Sequence, residues 1–363
     1  MAYQTTLVNL LSESKSFQFV MDNAVAQFEQ PIWTKYLTDR YSLSLDWRSI
    51  LAVMENSPAA SVIDFSSGKP IAVRPTVSKI NGELASLGNK YPSDKRQVRE
   101  LLELQDNIGK MGIDATTLID FLIPDIKRAT LGPHKTIDRL LLEGMSTGVM
   151  TLTAANNPKG VIWNSSLDWG ISQTFASVIW STANAATMKP LKDIKAKVKA
   201  GIAKGVRYGS IKMSSATFDL MVGSAEFQAA FKTSSGNFTE ISNAFIAPET
   251  VTQLFRGIGL PAIELIDYPV RVEQKDGTYT TVLPFADNRV TFVESDNLGE
   301  LLHTYANEQR RPVIGKSYAT ALNVLVSKFS NNDGSEFTES EFNAFPVINA
   351  ATTMTILKTD ATS

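Results

Sequence analysis

The chain of 363 residues contains no cysteine and only two histidines. The lack of cysteine excludes disulfides, thiolate nucleophiles, thiolate zinc sites and iron–sulfur clusters. No apolar run approaches the ~20 residues that a membrane-spanning helix needs, and no signal-peptide pattern is visible, so we expect a soluble, cytoplasmic protein. A net charge of −2 is too small for binding nucleic acid through overall charge. The hydrophobic content of 43% is ordinary for a folded chain.

Patterns that could support catalysis lack the structural context that they require. Residues 144–148 read Gly-Met-Ser-Thr-Gly and match the G-x-S-x-G motif of serine hydrolases, with Ser146 as nucleophile and His303 as the downstream histidine. That motif requires a sharp turn between a strand and a helix, whereas Ser146 continues a helical pattern. We interpret these small residues as packing residues, and we retain a serine hydrolase using Ser146 as the alternative from another functional class.

We predict no catalytic, metal-binding or cofactor-binding residue, and therefore no enzyme. The segment 331–334 (Asn-Asn-Asp-Gly) would place Phe329 at the first ligand position of a calcium loop, where it cannot coordinate the ion. We expect His134 to be solvated near a helix start. The neighbouring carboxylates Glu339 and Glu341 are expected on a solvated face.

The first 92 residues predict little independent structure. Residues 1–60 carry apolar residues at near-helical spacing and predict a partly helical arm. Residues 61–92 contain short alternating pieces between prolines and glycines, which predict a long two-stranded hairpin. An isolated hairpin is marginally stable in water, so this one needs support from another part of the fold or from another chain.

Helical periodicity begins at residue 93 and gives way to strand patterns in the second half of the chain. The predicted helices begin near residue 93, span 115–131, begin at Pro133, begin at Pro190 and stop at Gly205, and span 216–222, 225–231 and 249–256. The predicted strands span 160–164, 262–272, 279–283, 289–294, 322–329 and 346–358, with a hairpin turn at 275–277 and a short helix capped by Thr338 and Glu341.

One segment has an unusual charge. Residues 187–213 contain eight lysines and arginines and a single acidic residue, Asp193, which gives a local charge of +7. This pattern fits a solvated helix face, a contact with an acidic neighbouring surface, or non-specific contact with DNA phosphates. Few aromatic residues interleave, which disfavours stacking on bases. The candidate basic face comprises Lys192, Lys195, Lys197, Lys199, Lys204 and Arg207.

Several segments of the second half together resemble one known family. Residues 283–293 read LPFADNRVTFV, residues 308–312 EQRRP, residues 315–320 GKSYAT and residues 340–347 SEFNAFPV. They resemble the C-terminal half of tailed-phage (Caudoviricetes) major capsid proteins of the lambda E type. The resemblance is specific over residues 260–358 and rests on element order upstream.

The resemblance implies an α+β, Hong Kong 97-type capsid fold. Its parts would be an N-terminal arm at 1–60, an extended loop at 61–92, a peripheral domain at 93–188 plus 346–363 with a long spine helix, and an axial domain at 189–345. The implied function is a structural major capsid protein that self-assembles into the icosahedral head of a tailed bacteriophage enclosing double-stranded DNA. The implied location is the virion capsid, after assembly in the host cytoplasm.

The resemblance also implies partners. These are other copies of the chain in hexamers and pentamers, portal and scaffold proteins, a decoration protein, and non-specific contact with packaged double-stranded DNA, with no membrane. The extended loop would lie on a neighbouring subunit, with Lys69, Arg74, Lys79 and Lys90 as candidate contacts. An encapsulin-like nanocompartment shell, which shares the fold but generally lacks so long an arm, is the alternative within the same fold.

We expect trypsin to cut unassembled protein first within residues 61–92, at Arg74, Lys79 or Lys90. The segment has few apolar residues to offset the ~1–2 kcal/mol per residue that ordering a backbone costs. Assembled shells should resist the same cut, because a neighbour would cover the loop. Limited proteolysis followed by mass spectrometry measures this, and equal protection in a monomer would contradict the predicted role of the loop.

Overall fold

The computed structural model describes most of the chain. The described residues are 17–18, 21–22, 25, 28–51, 78–93, 96, 99, 103, 115–162, 166–235, 246–330 and 335–362. The predicted calcium-like turn at 331–334 lies outside them, as do most of the predicted helix after residue 93 and the loop residues Lys69 and Arg74.

The described part of the chain contains both helices and strands, and strands predominate after residue 257. The helices are α1 (Trp33–Tyr36), α2 (Ala115–Thr147), α3 (Pro190–Ala203), α4 (Ser215–Val222), α5 (Ala225–Ser235), α6 (Pro248–Gly257) and α7 (Asn307–Arg310). The strands are β1 (Leu37–Tyr41), β2 (Asp46–Leu51), β3 (Ser78–Glu83), β4 (Ala85–Leu87), β5 (Lys90–Ser93), β6 (Val149–Met150), β7 (Leu167–Asp168), β8 (Ser172–Ala176), β9 (Ser210–Met213), β10 (Ala262–Leu265), β11 (Val270–Glu273), β12 (Tyr279–Val282), β13 (Arg289–Val293), β14 (Gly299–Thr304), β15 (Lys316–Ala321), β16 (Val324–Ser330), β17 (Glu336–Ile348) and β18 (Thr355–Thr362).

The described residues form two compact units. The described residues of the first unit lie within 1–47, 82–138 and 300–347, and those of the second lie within 48–81, 139–299 and 348–363. Both units are assembled from segments far apart in sequence. The division into arm, loop, peripheral domain and axial domain stays a prediction.

A seven-stranded sheet forms the core of the first unit. Its order is β1-β14-β17-β16-β15, and β4 and β5 also pair with β17. The long strand β17 is buried at alternate positions at first and then continuously, with Phe342, Ala344 and Phe345 at most 2% exposed. The short helix predicted around Thr338 and Glu341 is therefore wrong, because main-chain pairing with strands on both sides overrides the local capping pattern.

Strand pairing also corrects the predicted hairpin at 61–92. Where the structure describes this segment, β3 pairs with β2, while β4 and β5 pair with β17 of the same chain. Gly88 is required at the turn between β4 and β5, since a Cβ there would lie 2.1 Å from the carbonyl oxygen of Ser340. The end of the predicted loop is thus part of the sheet, and Lys90, on β5, is a poorer trypsin site than the sequence suggests.

Helix α2 is continuous where two helices were predicted. It runs through Pro124 and Pro133 without ending. A proline inside a helix removes one hydrogen bond and costs about 3 kcal/mol. The helix continues because Ile137, Leu140 and Leu141 are at most 1% exposed, and burial of each such side chain contributes about 1.5–3 kcal/mol.

The core of the second unit is a mixed five-stranded sheet of order β10-β9-β13-β18-β8. Strands β10 and β9 are parallel, as are β18 and β8, and the remaining pairs are antiparallel. Helices α3, α4, α5 and α6 contribute Ile194, Phe218, Phe227 and Phe255 to a common apolar cluster with this sheet. The predicted hairpin at 275–277 is confirmed as the β11–β12 turn.

Three strand predictions in this unit are wrong in extent. Val161 and Ile162 form no strand and are 71% and 51% exposed, whereas Trp163 and Asn164 lie outside the described residues. The predicted strand at 262–272 is two strands, β10 and β11. The predicted final strand at 346–358 is the end of β17, a 3-10 turn at Asn349–Thr352 and then β18.

Gln18 binds the outer strand of the seven-stranded sheet through its side-chain amide. Its Nε2 donates to the carbonyl of Thr320 at 2.9 Å, and its Oε1 accepts from the Thr320 amide at 2.8 Å. The side-chain amide therefore pairs with β15 as a neighbouring strand would. Covered edges of this kind protect a sheet from pairing with other strands.

His134 is buried inside α2, which corrects the expectation of a solvated histidine. Its Nδ1 accepts a hydrogen bond from Trp33 Nε1 at 3.1 Å, and its Nε2 lies 3.1 Å from the carbonyl of Leu322. One turn later, the Asp138 carboxylate accepts from the Trp33 amide at 2.9 Å. Burial lowers the pKa of His134 to about 4, so the ring is neutral and holds α1 against the helix.

We expect the stability of the protein to fall as the pH drops from about 6.5 to 4 because of His134. The pKa in the folded state is about 4 and the ordinary value is ~6.5, so in this window the unfolded chain takes up the proton and is favoured. The full effect is about 3 kcal/mol. Denaturant unfolding at several pH values measures it.

His134→Gln, whose amide also has a donor and an acceptor, should flatten this pH dependence, whereas the control His303→Gln should keep most of it. An unchanged slope in His134→Gln would contradict the assignment.

Candidate functional site

Helix α3 carries the predicted basic face and is fixed by its opposite side. Pro190 begins the helix, and Leu191, Ile194 and Val198 are buried against the second-unit core. Gly205, with φ of +84°, follows the helix and lets the chain turn back towards β9. The predicted helix and its stop are confirmed.

A buried carboxylate anchors the first turn of α3. Asp193 is 7% exposed and accepts hydrogen bonds from Trp180 Nε1 at 3.2 Å and from the Ser177 amide at 3.3 Å. The Glu226 carboxylate of α5 accepts from the Leu191 amide at 2.9 Å. A carboxylate at a helix N-terminus satisfies free N–H groups and interacts favourably with the helix dipole. The charge count over residues 187–213 included Asp193 with the surface lysines, but the structure shows its carboxylate buried.

The outer side of α3 is cationic and exposed. Lys192, Lys195 and Lys199 are exposed, and Lys197 is half-buried. Ile202, which the periodicity predicted on the buried face, is 56% exposed. Spacings of three, four and three residues place Lys192, Lys195, Lys199 and Ile202 along one stripe of the helix, which we call the lysine stripe. Lys204 and Arg207 extend the exposed charge past the helix end.

These cations have no counter-charge among the described residues. None of Lys192, Lys195, Lys197, Lys199, Lys204 and Arg207 forms an ion pair there. Lys212, which the sequence count added to the basic segment, behaves differently. It is fully buried on β9, where its Nζ contacts the carboxylates of Glu264 and Asp296. The exposed basic face therefore ends before the sheet begins.

Ser146 has a packing role in the structure. It lies in α2 and is fully buried, with its hydroxyl donating to the Leu142 carbonyl at 2.9 Å and accepting from the Ala286 amide at 3.0 Å. A Cβ at Gly144 would lie 2.7 Å from Met150, so close helix packing explains that glycine. His303 belongs to the other unit, where it pairs with Asp39 at 3.1 Å. The interpretation of the G-x-S-x-G motif as packing is confirmed.

The described residues contain no group of three acidic or histidine side chains suited to a metal ion. The two carboxylates expected on a solvated face are engaged instead: Glu339 pairs with Lys316 at 3.2 Å, and Glu341 accepts a hydrogen bond from the Asn307 amide at 3.4 Å. Lys316 also pairs with Glu308 at 2.8 Å, so that Glu308 and Glu339 flank the same ammonium group. Burial acts to lower the pKa of Lys316, but these two carboxylates outweigh it and raise the pKa. The cluster opens on a surface cavity of about 370 Å³ beside the β4–β5 turn.

Of the four predicted loop contacts, Lys79 and Lys90 lie within the described residues, and Lys69 and Arg74 lie outside them. Lys79 lies on β3 and Lys90 on β5, where its Nζ sits 4.8 Å and 4.4 Å from the ring centres of Phe329 and Phe337. This cation–π contact is within the same chain. Contacts of these residues with a neighbouring subunit stay a prediction. Across the described part of the chain, no helix is both long and apolar enough to span a membrane.

Comparison with known proteins identifies the fold. No protein-family model matches the sequence, and no curated protein matches it. The crystal structure of a putative capsid protein of a prophage of Escherichia coli CFT073 aligns over 99% of this chain and 99% of its own, with a TM-score of 0.54 and 13% identity. A phage-related protein from Bordetella bronchiseptica RB50 aligns over 94% and 96%, with a TM-score of 0.48 and 9% identity. The capsid of Myoviridae phage XM1 aligns over 91% and 93%, with a TM-score of 0.44 and 11% identity.

The alignment with the prophage protein leaves almost no residue of either chain unmatched. At 13% identity it establishes a shared fold. The α+β, Hong Kong 97-type capsid fold predicted from the sequence is therefore confirmed.

We expect Asp193→Ala to lower the free energy of unfolding by about 2 kcal/mol, because it leaves the buried Trp180 Nε1 donor without its charged acceptor. The exposed Asp219 of α4 is the matched control, and Asp219→Ala should change the value by no more than about 0.5 kcal/mol. Denaturant unfolding measures both variants. Equal effects of the two substitutions would contradict the anchoring role of Asp193.

Proposed function

We propose that the chain is the structural major capsid protein of a tailed bacteriophage, of the lambda E type. In this role it self-assembles into the icosahedral head that encloses double-stranded DNA. The observation that carries the proposal is the common fold with a prophage capsid protein over 99% of both chains. The sequence resemblance over residues 260–358 supports it independently, because it rests on motifs and not on topology.

The described structure suits a building block better than a catalyst. The motif that could have supplied a nucleophile is buried in a helix, with its hydroxyl occupied by main-chain groups. Large exposed apolar side chains are spread over both units, including Leu43 at 83% and Ile314 at 102% exposure. A shell subunit contacts several copies at once and buries more than the ~1,600 Å² of an ordinary complex. We therefore propose a non-enzymatic role.

Location and partners follow from this role. We propose that the chain resides in the virion capsid after assembly in the host cytoplasm, as hexamers and pentamers of identical subunits. Portal and scaffold proteins would direct assembly, and a decoration protein would bind outside. The arm, peripheral domain and axial domain keep the boundaries predicted above, whereas the extended loop ends before β4, and Lys69, Arg74, Lys79 and Lys90 face a neighbour.

The proposal is tested by expressing the chain alone and with scaffold and portal proteins. Negative-stain microscopy should show closed, roughly spherical particles, and sedimentation should show material far larger than the 39.7 kDa chain. Ser146→Ala should assemble like the wild type or show only a packing defect. A monodisperse monomer under all these conditions would contradict the capsid role.

The basic face should contribute to assembly or to DNA retention. Reversing Lys192, Lys195 and Lys199 to Glu should reduce the yield of filled particles, with the defect changing with ionic strength because salt screens such contacts. The matched control reverses three exposed lysines elsewhere, Lys127, Lys232 and Lys275, and so makes the same change in net charge. Normal, filled particles from the first variant at all ionic strengths would leave the face merely solvated.

A further inference from the structure

The lysine stripe differs from an ordinary solvated helix face in one respect. Ile202 continues the line of Lys192, Lys195 and Lys199 and exposes 56% of its surface. Three alanines, Ala196, Ala200 and Ala203, are also exposed beside the stripe. The exposed side of α3 is thus a row of cations that ends on a large apolar side chain, with only short side chains alongside.

The rest of the chain carries a net negative charge, opposite in sign to this face. The whole chain carries −2 and the six cations of the basic face carry +6, so all other residues together carry −8. None of the six cations is paired with a carboxylate among the described residues. The other residues of a second copy therefore carry a net charge opposite to that of this face, whereas within one copy the described residues leave the six cations without an ion pair.

We infer that the lysine stripe binds an acidic surface of a second copy of this chain, with Ile202 buried in the contact, and does not bind packaged DNA. This inference rests on the proposed function, since it requires assembly of identical subunits. Charge complementarity sets the orientation of such a contact, and burial of an apolar side chain contributes to its affinity.

DNA fits the same surface less well. Phosphate contacts gain affinity by releasing counterions from cationic groups, and an isoleucine adds nothing to that exchange. The stripe has no arginine to bind phosphate in a bidentate manner and no aromatic ring to stack on a base. Burial of Ile202 therefore distinguishes a protein neighbour from DNA.

The absence of cysteine makes the experiment direct, since a single substitution supplies the only thiol. Ile202→Cys and Lys199→Cys are each labelled with N-ethylmaleimide, a reagent small enough to enter the shell, in the free subunit, in DNA-free particles and in DNA-filled particles. Val198→Cys, on the buried side of the same helix, is the matched control and should react slowly in all three samples. If either stripe variant fails to assemble, the other gives the readout.

Protection of the Ile202→Cys thiol by about tenfold or more in DNA-free particles, relative to the free subunit, is the expected result. Benzophenone maleimide attached at the same position should then give a chain-to-chain adduct of twice the 39.7 kDa mass on illumination.

Particles in which this thiol reacts as fast as in the free subunit would overturn the inference while leaving the capsid role intact. Protection confined to DNA-filled particles, with adducts to DNA, would assign the stripe to DNA and also overturn it. A chain that never assembles would overturn both proposals.

Discussion

The hydrogen bonding of β17 is the constraint on which the first unit depends. A strand with neighbours on both edges must pair its main-chain N–H and C=O groups, since unpaired groups inside a protein cost about as much as a lost hydrogen bond. Residues Glu336–Glu339 pair with β16 on one side and with β5 on the other. The turn before β5 comes so close at Ser340 that only glycine fits at residue 88. A segment 251 residues away in sequence is thereby fixed in the sheet.

Helix α3 has a buried apolar face and an exposed cationic face. Its only acidic residue, Asp193, is turned inward and binds neutral donors, so it does not neutralise the lysines outside. The carboxylate of Glu226 accepts a hydrogen bond from the Leu191 amide at the N-terminus of the helix. Within the described residues, the outer lysines have no ion-pair partner, so that part of the chain does not neutralise them.

Local sequence patterns predicted the elements that make mainly local contacts. Helices α3, α4, α5 and α6 and the β11–β12 hairpin lie close to where periodicity, a helix-initial proline and a turn dipeptide indicate them. The predictions failed where distant segments decide the outcome. Pro133 lies within one continuous helix because burial outweighs its local cost, and Thr338 lies in a strand because β5 and β16 pair with it.

By itself, the sequence determined the absence of thiol and disulfide chemistry, the α+β class, the location of a basic helix and, through the motifs of residues 260–358, the capsid fold. These depend on composition, short-range spacing or directly comparable residues. Tertiary structure alone decided that Asp193 and Lys212 are buried, that Ile202 is exposed and that His134 is neutral in contact with Trp33. Each of these depends on which distant segment covers a side chain, and local residue spacing does not specify that segment.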